Sequence, residues 1–281
     1  MHGKCNAATT NNGLTVPPLS EGFSVGTGNL GGPSVSASRF ALYLASLSRL
    51  PSVLALTEFR NSEPLSRYER YATAFGYHLL ASPGNPTGGV AILVHSSVAP
   101  SAPPLHTVVP ARIVYTSLCV HQNLDAPPLK IVAFYGSNKA KERALYERPL
   151  GGLLKDNCII LGDFNATTQD ADSTCLSSNH WPWLQSQEKC NNMIDVIRSS
   201  DSPPPYTRVR GYHGTKSYID RVYFSRTADT FFHSHEHWID DFSNTDIGAD
   251  HNPIMCCIGD CGTIPPIGPR CTYWNKRTLH Q

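Results

Sequence analysis

The 281 residues are enough for one large domain with a substantial core, and hydrophobic and charged shares of 40% and 16% are those of a folded protein. A net charge of +1 excludes the global basic field of a strong non-specific nucleic-acid binder. No run approaches the roughly 18 apolar residues that span a bilayer, so no membrane partner is expected.

Residues 1–20 are mostly Asn, Thr, Ser, Gly and Pro, the composition of a disordered tail. No apolar h-region follows Met1-His2-Gly3-Lys4-Cys5, so we expect no secretory signal, reduced cysteines and an intracellular protein. A short strand is predicted over 22–27. A helix follows, with Ser34 and Ser36 as candidate caps and Phe40, Ala41, Leu44 and Leu47 at helical spacing. Residues 52–58 (SVLALTE) form an apolar run ending in a carboxylate, as in a strand buried on both faces. A second helix is predicted over 65–75. Strands at 77–81 and 90–94 flank a Pro/Gly-rich loop, and further strands are predicted at 112–121 and 129–135. A helix over 141–148 should stop before Pro149.

Residues 158–161 make another buried strand, and the polar stretch 167–179 an extended surface loop. A short helix is predicted at 189–197 and a turn at Pro203-Pro204-Pro205. The last strands are expected at 218–224, 231–238 and 253–258, with a Pro/Gly-rich tail or linker over 261–281. The expected unit is therefore one α/β domain over 21–260.

Groups with chemical capacity recur at the ends of these apolar runs. Glu58 ends one run, and Tyr135 another, just before Gly136-Ser137-Asn138. Asp163 and Asn165 follow Ile159-Ile160-Leu161, Asp220 lies in Tyr218-Ile219-Asp220-Arg221, and Asp250-His251 precedes Pro253. Strand ends of an α/β sheet converge on one edge, so these residues can share a site. Carboxylates and amides there suit a hard, oxygen-ligated cation, Mg²⁺ or Mn²⁺, which a phosphodiester needs to offset its charge.

Two other clusters have chemical capacity. His233, His235 and His237 alternate along one predicted strand, a spacing able to hold zinc, but the mixed intervening residues favour a solvated polar face. Cys256, Cys257, Cys261 and Cys271 match no zinc module. Arg67, Arg70, Arg208, Arg210, Lys216 and Arg221 are read as mostly solvated charges, with Arg208, Arg210 and Lys216 near enough to Asp220 to line a nucleic-acid groove.

The order Asn29, Glu58, Tyr135, Gly162-Asp163-Phe164-Asn165-Ala166, Ser217-Tyr218-Ile219-Asp220 and Ala249-Asp250-His251-Asn252-Pro253-Ile254 resembles the endonuclease/exonuclease/phosphatase (DNase I-like) family over about residues 22–258. The resemblance implies a four-layered α/β sandwich, with two mixed β-sheets packed face to face and helices on the outer faces. It also implies roles. Glu58 is the principal metal ligand, with Asn29 and Asp250 beside it. Asp163 orients or deprotonates the attacking water, and Asn165 positions the phosphate. His251 contacts the scissile phosphate, Asp220 orients His251, and Tyr135 bonds the phosphate or assists the leaving oxygen. Asn138 and Ser217 are assigned to substrate binding. Two positions depart from the pattern: Gly28 stands where a bulky residue usually precedes the Asn, and Ala249 replaces a Ser.

Phe164 and Ala166 resemble the nuclease branch rather than the inositol phosphatases. Pro205-Tyr206-Thr207, Ser217 to Asp220 and Cys271-Thr272-Tyr273-Trp274 resemble the endonuclease of non-LTR (LINE-type) retrotransposons and its linker. The expectation is a nuclear DNA endonuclease that nicks one strand and leaves a 3′-hydroxyl, as an isolated or excised part of a reverse-transcriptase polyprotein. The alternatives are an abasic-site endonuclease or phosphatase of the same fold, or a catalytically inactive DNA-binding relative.

Overall fold

Two six-stranded sheets organise the computed structural model, which describes residues 8–9, 15–16, 22–31, 35–84, 88–120, 127–174, 179–198, 205–210, 214–242 and 250–260. A short antiparallel pair, β1 (Ala8–Thr9) with β2 (Thr15–Val16), lies in the segment expected to be a tail. β3 (Phe23–Asn29), α1 (Ala37–Ser46), β4 (Val53–Thr57), α2 (Leu65–Ala74), β5 (Tyr77–Gly84) and β6 (Gly88–His95) follow. Next come β7 (His106–Val109), β8 (Ile113–Leu118), β9 (Leu129–Tyr135), α3 (Ala140–Leu153) and β10 (Cys158–Asp163). A 3₁₀ turn at Asp170–Asp172 leads to α4 (Pro182–Lys189), β11 (Met193–Asp195), β12 (Arg208–Arg210), β13 (Thr215–Ser217) and β14 (Asp220–Ser225). α5 (Arg226–Phe231), β15 (Phe232–Ile239) and β16 (Ile254–Asp260) complete the described chain.

One sheet has the order β15-β16-β3-β4-β6-β5 and the other β11-β14-β10-β9-β8-β7. Both are mixed: β3 and β4 run parallel, as do β9 and β10, and their other neighbours are antiparallel. The two-residue period of a strand explains the layers. Along β10, Ile159 and Leu161 enter the core between the sheets, while Cys158 and Ile160 enter a second core beneath α3 and α4. Leu54 and Leu56 of β4 likewise meet Phe40 and Leu44 of α1 on the other outer face. The four-layered sandwich follows from strands that are apolar on both sides.

Local rules set several element ends. Ser36 accepts the Arg39 N–H and starts α1. α3 runs through Pro149 instead of stopping before it. The proline removes one helical donor, but Leu150 and Leu153 beyond it are buried against the sheet and keep the chain helical. The helix expected over 189–197 lies earlier, at α4, with Pro182 in its first turn. Met193–Asp195 is instead an edge strand on β14. The extended surface loop is partly inward-facing, since Thr167, Thr168 and Asp172 are buried.

Arg221, expected to be solvated, is wholly buried. It donates to Asp172 Oδ2 at 2.6 Å and Asp195 Oδ2 at 2.8 Å, and its guanidinium lies over the Tyr218 ring at 4.4 Å. Buried charges persist where partners of this kind satisfy them. β15 carries the alternating histidines, and its ladder with β16 is irregular between Ser234 and Glu236. The His233 and His235 side chains, Ala249, Cys261, Cys271 and the 261–281 tail lie outside the described residues. Among the described residues no helix is long and apolar enough to cross a membrane.

Candidate active site

Strand register brings the chemistry to one edge. Asn29 pairs with Thr57 across parallel β3 and β4, so Glu58 emerges beside Asn29. In the facing sheet, Tyr135 pairs with Asp163, which also pairs with Asp220 of antiparallel β14. β16, beside β3, begins three residues after His251. Glu58 and Asn165 leave their strands with φ of 56° and 50°. Such left-handed backbone is uncommon outside glycine and concentrates at functional sites.

Asp163 is fully buried and held from several directions. Its Oδ1 accepts the Asn165 backbone N–H at 2.8 Å, and its Oδ2 accepts the amide groups of Asn165 and Asn29, each at 3.0 Å. The Asn29 amide nitrogen also lies 3.4 Å from Glu58 Oε1. Its oxygen is engaged by Gly31 N–H at 2.8 Å. As placed, Asn29 ties two carboxylates together through its N–H donors, and its oxygen keeps a second lone pair beside the Gly31 bond. The Tyr135 hydroxyl donates to Glu58 Oε1 at 3.1 Å, and Arg60 lies 3.5 Å from Oε2. Arg112 covers the Tyr135 ring at 4.6 Å and donates to Gly136 O at 3.3 Å.

A second corner joins this one. His251 Nδ1 and Asp220 Oδ2 are 2.8 Å apart, and Asp220 Oδ1 is buried with no hydrogen-bond partner among the described residues. Asp250 is 45% exposed at its side chain and accepts Arg208 Nε at 3.2 Å. Thr207 clamps the corner: its Oγ1 accepts the N–H groups of Ile219 and Asp220, and its carbonyl accepts Asn252 N–H at 2.7 Å.

Burial and the charge of Asp220 push the Asp163 carboxyl up to about 7, against the opposing pull of His251. Burial disfavours the charged form of His251, yet Asp220 in contact with it holds the imidazole up at about 9. Burial and the adjacent Glu58 raise the Tyr135 phenol. The site thus pairs a carboxyl that titrates near neutrality with an imidazolium. With Nδ1 committed to Asp220, His251 has its Nε2–H left to offer.

Asp163, Asp220 and His251 present ligand atoms that all lie within 4.8 Å of one another. Asn29 connects Glu58 to this group, and Asp220 Oδ1 is a buried oxygen with no hydrogen-bond partner among the described residues. The donors are chiefly carboxylate oxygens, so the residues fit a hard divalent cation. Glu58, Asp163, Asp220 and Asp250 are the oxygens that would hold it. Such a cation, when bound, offsets charge on phosphoryl oxygens. Asp163 is suited to take a proton from water near neutral pH, and the cationic His251 to stabilise charge on a phosphate.

Two candidates stand apart. Asn138 is exposed just before α3, and Ser217 is half-buried at the end of the β13 ladder; neither is hydrogen-bonded to this group. Sequence reading placed Thr207 only in the Pro205-Tyr206-Thr207 resemblance, without its clamping role, and missed Arg143. Buried Arg143 donates to Ser137 O at 3.2 Å, Asn165 O at 3.3 Å and His180 O at 3.2 Å, pinning the Asn165 turn. Its signal was its place in the inward stripe of α3, three and seven residues before Tyr146 and Leu150.

The model of the Endonuclease/Exonuclease/phosphatase family matches residues 26–251. No curated protein matches the chain. Among solved structures, a variant of the 3′ phosphatase NExo from Neisseria, bound to product DNA hairpin, has a TM-score of 0.64 at 17% identity, covering 83% of this chain and 98% of the other. An AP endonuclease from Archaeoglobus fulgidus gives 0.62 at 16% identity, with the same coverages of 83% and 98%. The endonuclease domain of TRAS1, a telomere-specific non-LTR retrotransposon, gives 0.55 at 15% identity and covers 84% of this chain and 98% of the other. These likenesses establish the shared fold. The family match spans both corners of the site, and on it the chain belongs to the endonuclease/exonuclease/phosphatase family of divalent-metal-dependent hydrolases acting on phosphoester bonds.

Proposed function

We propose that the chain is a Mg²⁺-dependent DNA endonuclease that nicks one strand and leaves a 3′-hydroxyl. The observation that carries this reading is the buried group of Asp163, Asp220 and His251, tied to Glu58 through Asn29. It supplies a base titrating near pH 7, a cation to meet the scissile phosphate and oxygens for a hard metal. The retrotransposon branch is supported by the Pro205-Tyr206-Thr207 and Ser217 to Asp220 segments. On that branch the enzyme nicks its target in the nucleus, as a portion of a reverse-transcriptase polyprotein.

The test is conversion of supercoiled plasmid to nicked circles with Mg²⁺ or Mn²⁺ and none with chelator, with polymerase extension reporting the 3′-hydroxyl. Asp163→Ala and His251→Ala should each lower the rate at least about 10²-fold. Parallel reactions on abasic duplex and on 3′-phosphate ends separate the reading from its relatives. Activity on those ends with none on intact plasmid transfers the chain to a repair function. A folded wild type that binds DNA and cuts nothing under any of these conditions is the inactive relative.

A further inference from the structure

Gly28 sits between Thr27 and Asn29 at the end of β3, and its backbone is not left-handed. Glycine is needed there for room rather than for conformation. A Cβ on Gly28 would fall 1.7 Å from the Tyr43 hydroxyl oxygen and 2.8 Å from Tyr43 Cζ. Tyr43 reaches this place from α1, is wholly buried, and its hydroxyl has no hydrogen-bond partner among the described residues. The ring also packs edge-on against Phe242 at 5.2 Å. Phe242 N–H in turn donates to Asn252 Oδ1 at 2.9 Å, one residue beyond His251. One side chain therefore bears on two of the chain segments that form the site, those of Asn29 and His251. Burial raises the Tyr43 phenol, and the charges of Asp220 and Asp240 add to the rise.

We propose that Gly28 and Tyr43 form a packing lock: the room that Gly28 leaves for the Tyr43 hydroxyl is what lets the adjoining Asn29 lie against Glu58 and Asp163. Close packing makes such a contact two-sided: a side chain added on one partner displaces the other, and trimming the other relieves it. This inference rests on the metal-dependent reading above, so its test reads metal binding without nucleic acid.

Mn²⁺ binding to the full chain is followed by loss of the free-ion electron paramagnetic resonance signal, beside thermal melting and plasmid nicking. Gly28→Ala should weaken Mn²⁺ binding by roughly tenfold, and Gly28→Ala/Tyr43→Leu should recover it to within about threefold of wild type, the coupling expected of residues in contact. The proposal is overturned if folded Gly28→Ala binds Mn²⁺ as tightly as wild type, or if the double variant binds no better than the single one. Should Gly28→Ala fail to fold, the double variant decides: folded with wild-type affinity supports the lock, and folded with weak affinity removes it. A wild type that binds Mn²⁺ but cleaves no DNA ends the endonuclease reading and leaves the lock standing. One that binds no Mn²⁺ ends both.

Discussion

His251 shows how far the fold sets the charge of one residue. In the unfolded chain its imidazole titrates near 6.5, whereas in the fold Asp220 holds it up at about 9 despite burial. A raised folded pKa means that the stabilisation is complete below the unfolded value and is lost as pH rises through the folded one. Asp163 is raised from 3.8 to about 7, so most of its own contribution is lost below pH 7, and the span from pH 7 to 9 reports chiefly on His251. Urea unfolding of the metal-free protein should lose about 2 kcal/mol between pH 7 and 9, and His251→Gln should flatten that interval. An equal slope in both proteins would refute the assignment. Glu58, Asp163, Asp220 and His251 were legible because each lies at or beside an apolar run. The atom that Asn29 presents was not legible, because Gly31 N–H decides it. Arg143 and Thr207 bond to backbone groups, partners that residue types at the site do not reveal.

At the scale of elements, Asp172 holds the segment after Asn165 to the strand that carries Asp220. It is wholly buried, accepts Arg221 at 2.6 Å and Thr168 N–H at 2.8 Å, pairs with Arg198, and its carbonyl accepts Tyr218 N–H at 2.8 Å. Burial pushes its carboxyl up, but Arg221 and the Thr168 amide hold it below the ordinary value. Asp172→Ala removes a carboxylate shared by two guanidinium groups, leaves Arg221 and Arg198 on Asp195, and should cost about 3 kcal/mol in urea unfolding, with earlier proteolysis within residues 167–174. A loss under about 1 kcal/mol would show that the cluster anchors nothing. The polar composition of 167–179 hid this anchoring, although Arg221 inside the apolar run Tyr218 to Phe224 hinted at an inward partner. β7, β11 and the β12–β13 hairpin are built of strands three or four residues long and owe their form to pairing rather than to sequence period. The long apolar strands, whose burial on both faces writes itself into composition, were legible.

For the whole molecule, alternation of strand and helix signals carried the fold class, but not the strand order. β16, last in the described chain, inserts between β15 and β3 and so brings His251 to the strand of Asn29. Such long-range pairing has no local signature. Net charge is equally uninformative about where a polyanion would lie, and at +1 it supplies no attraction at a distance. Among the described residues, cationic groups near the site are few: Arg60 and Arg208 are each about one-fifth exposed and already face Glu58 and Asp250, and Arg112 lies against Tyr135. Each phosphate neutralised on duplex DNA contributes about −0.9 to the slope of log affinity against log salt, so three such arginines predict a slope of about −3 or shallower. Fluorescence anisotropy of a labelled duplex, titrated in chelator across a range of KCl, measures it, and Arg112→Ala should reduce the slope by about 1. A slope steeper than about −6 would mean that an extended basic surface away from this edge does the binding.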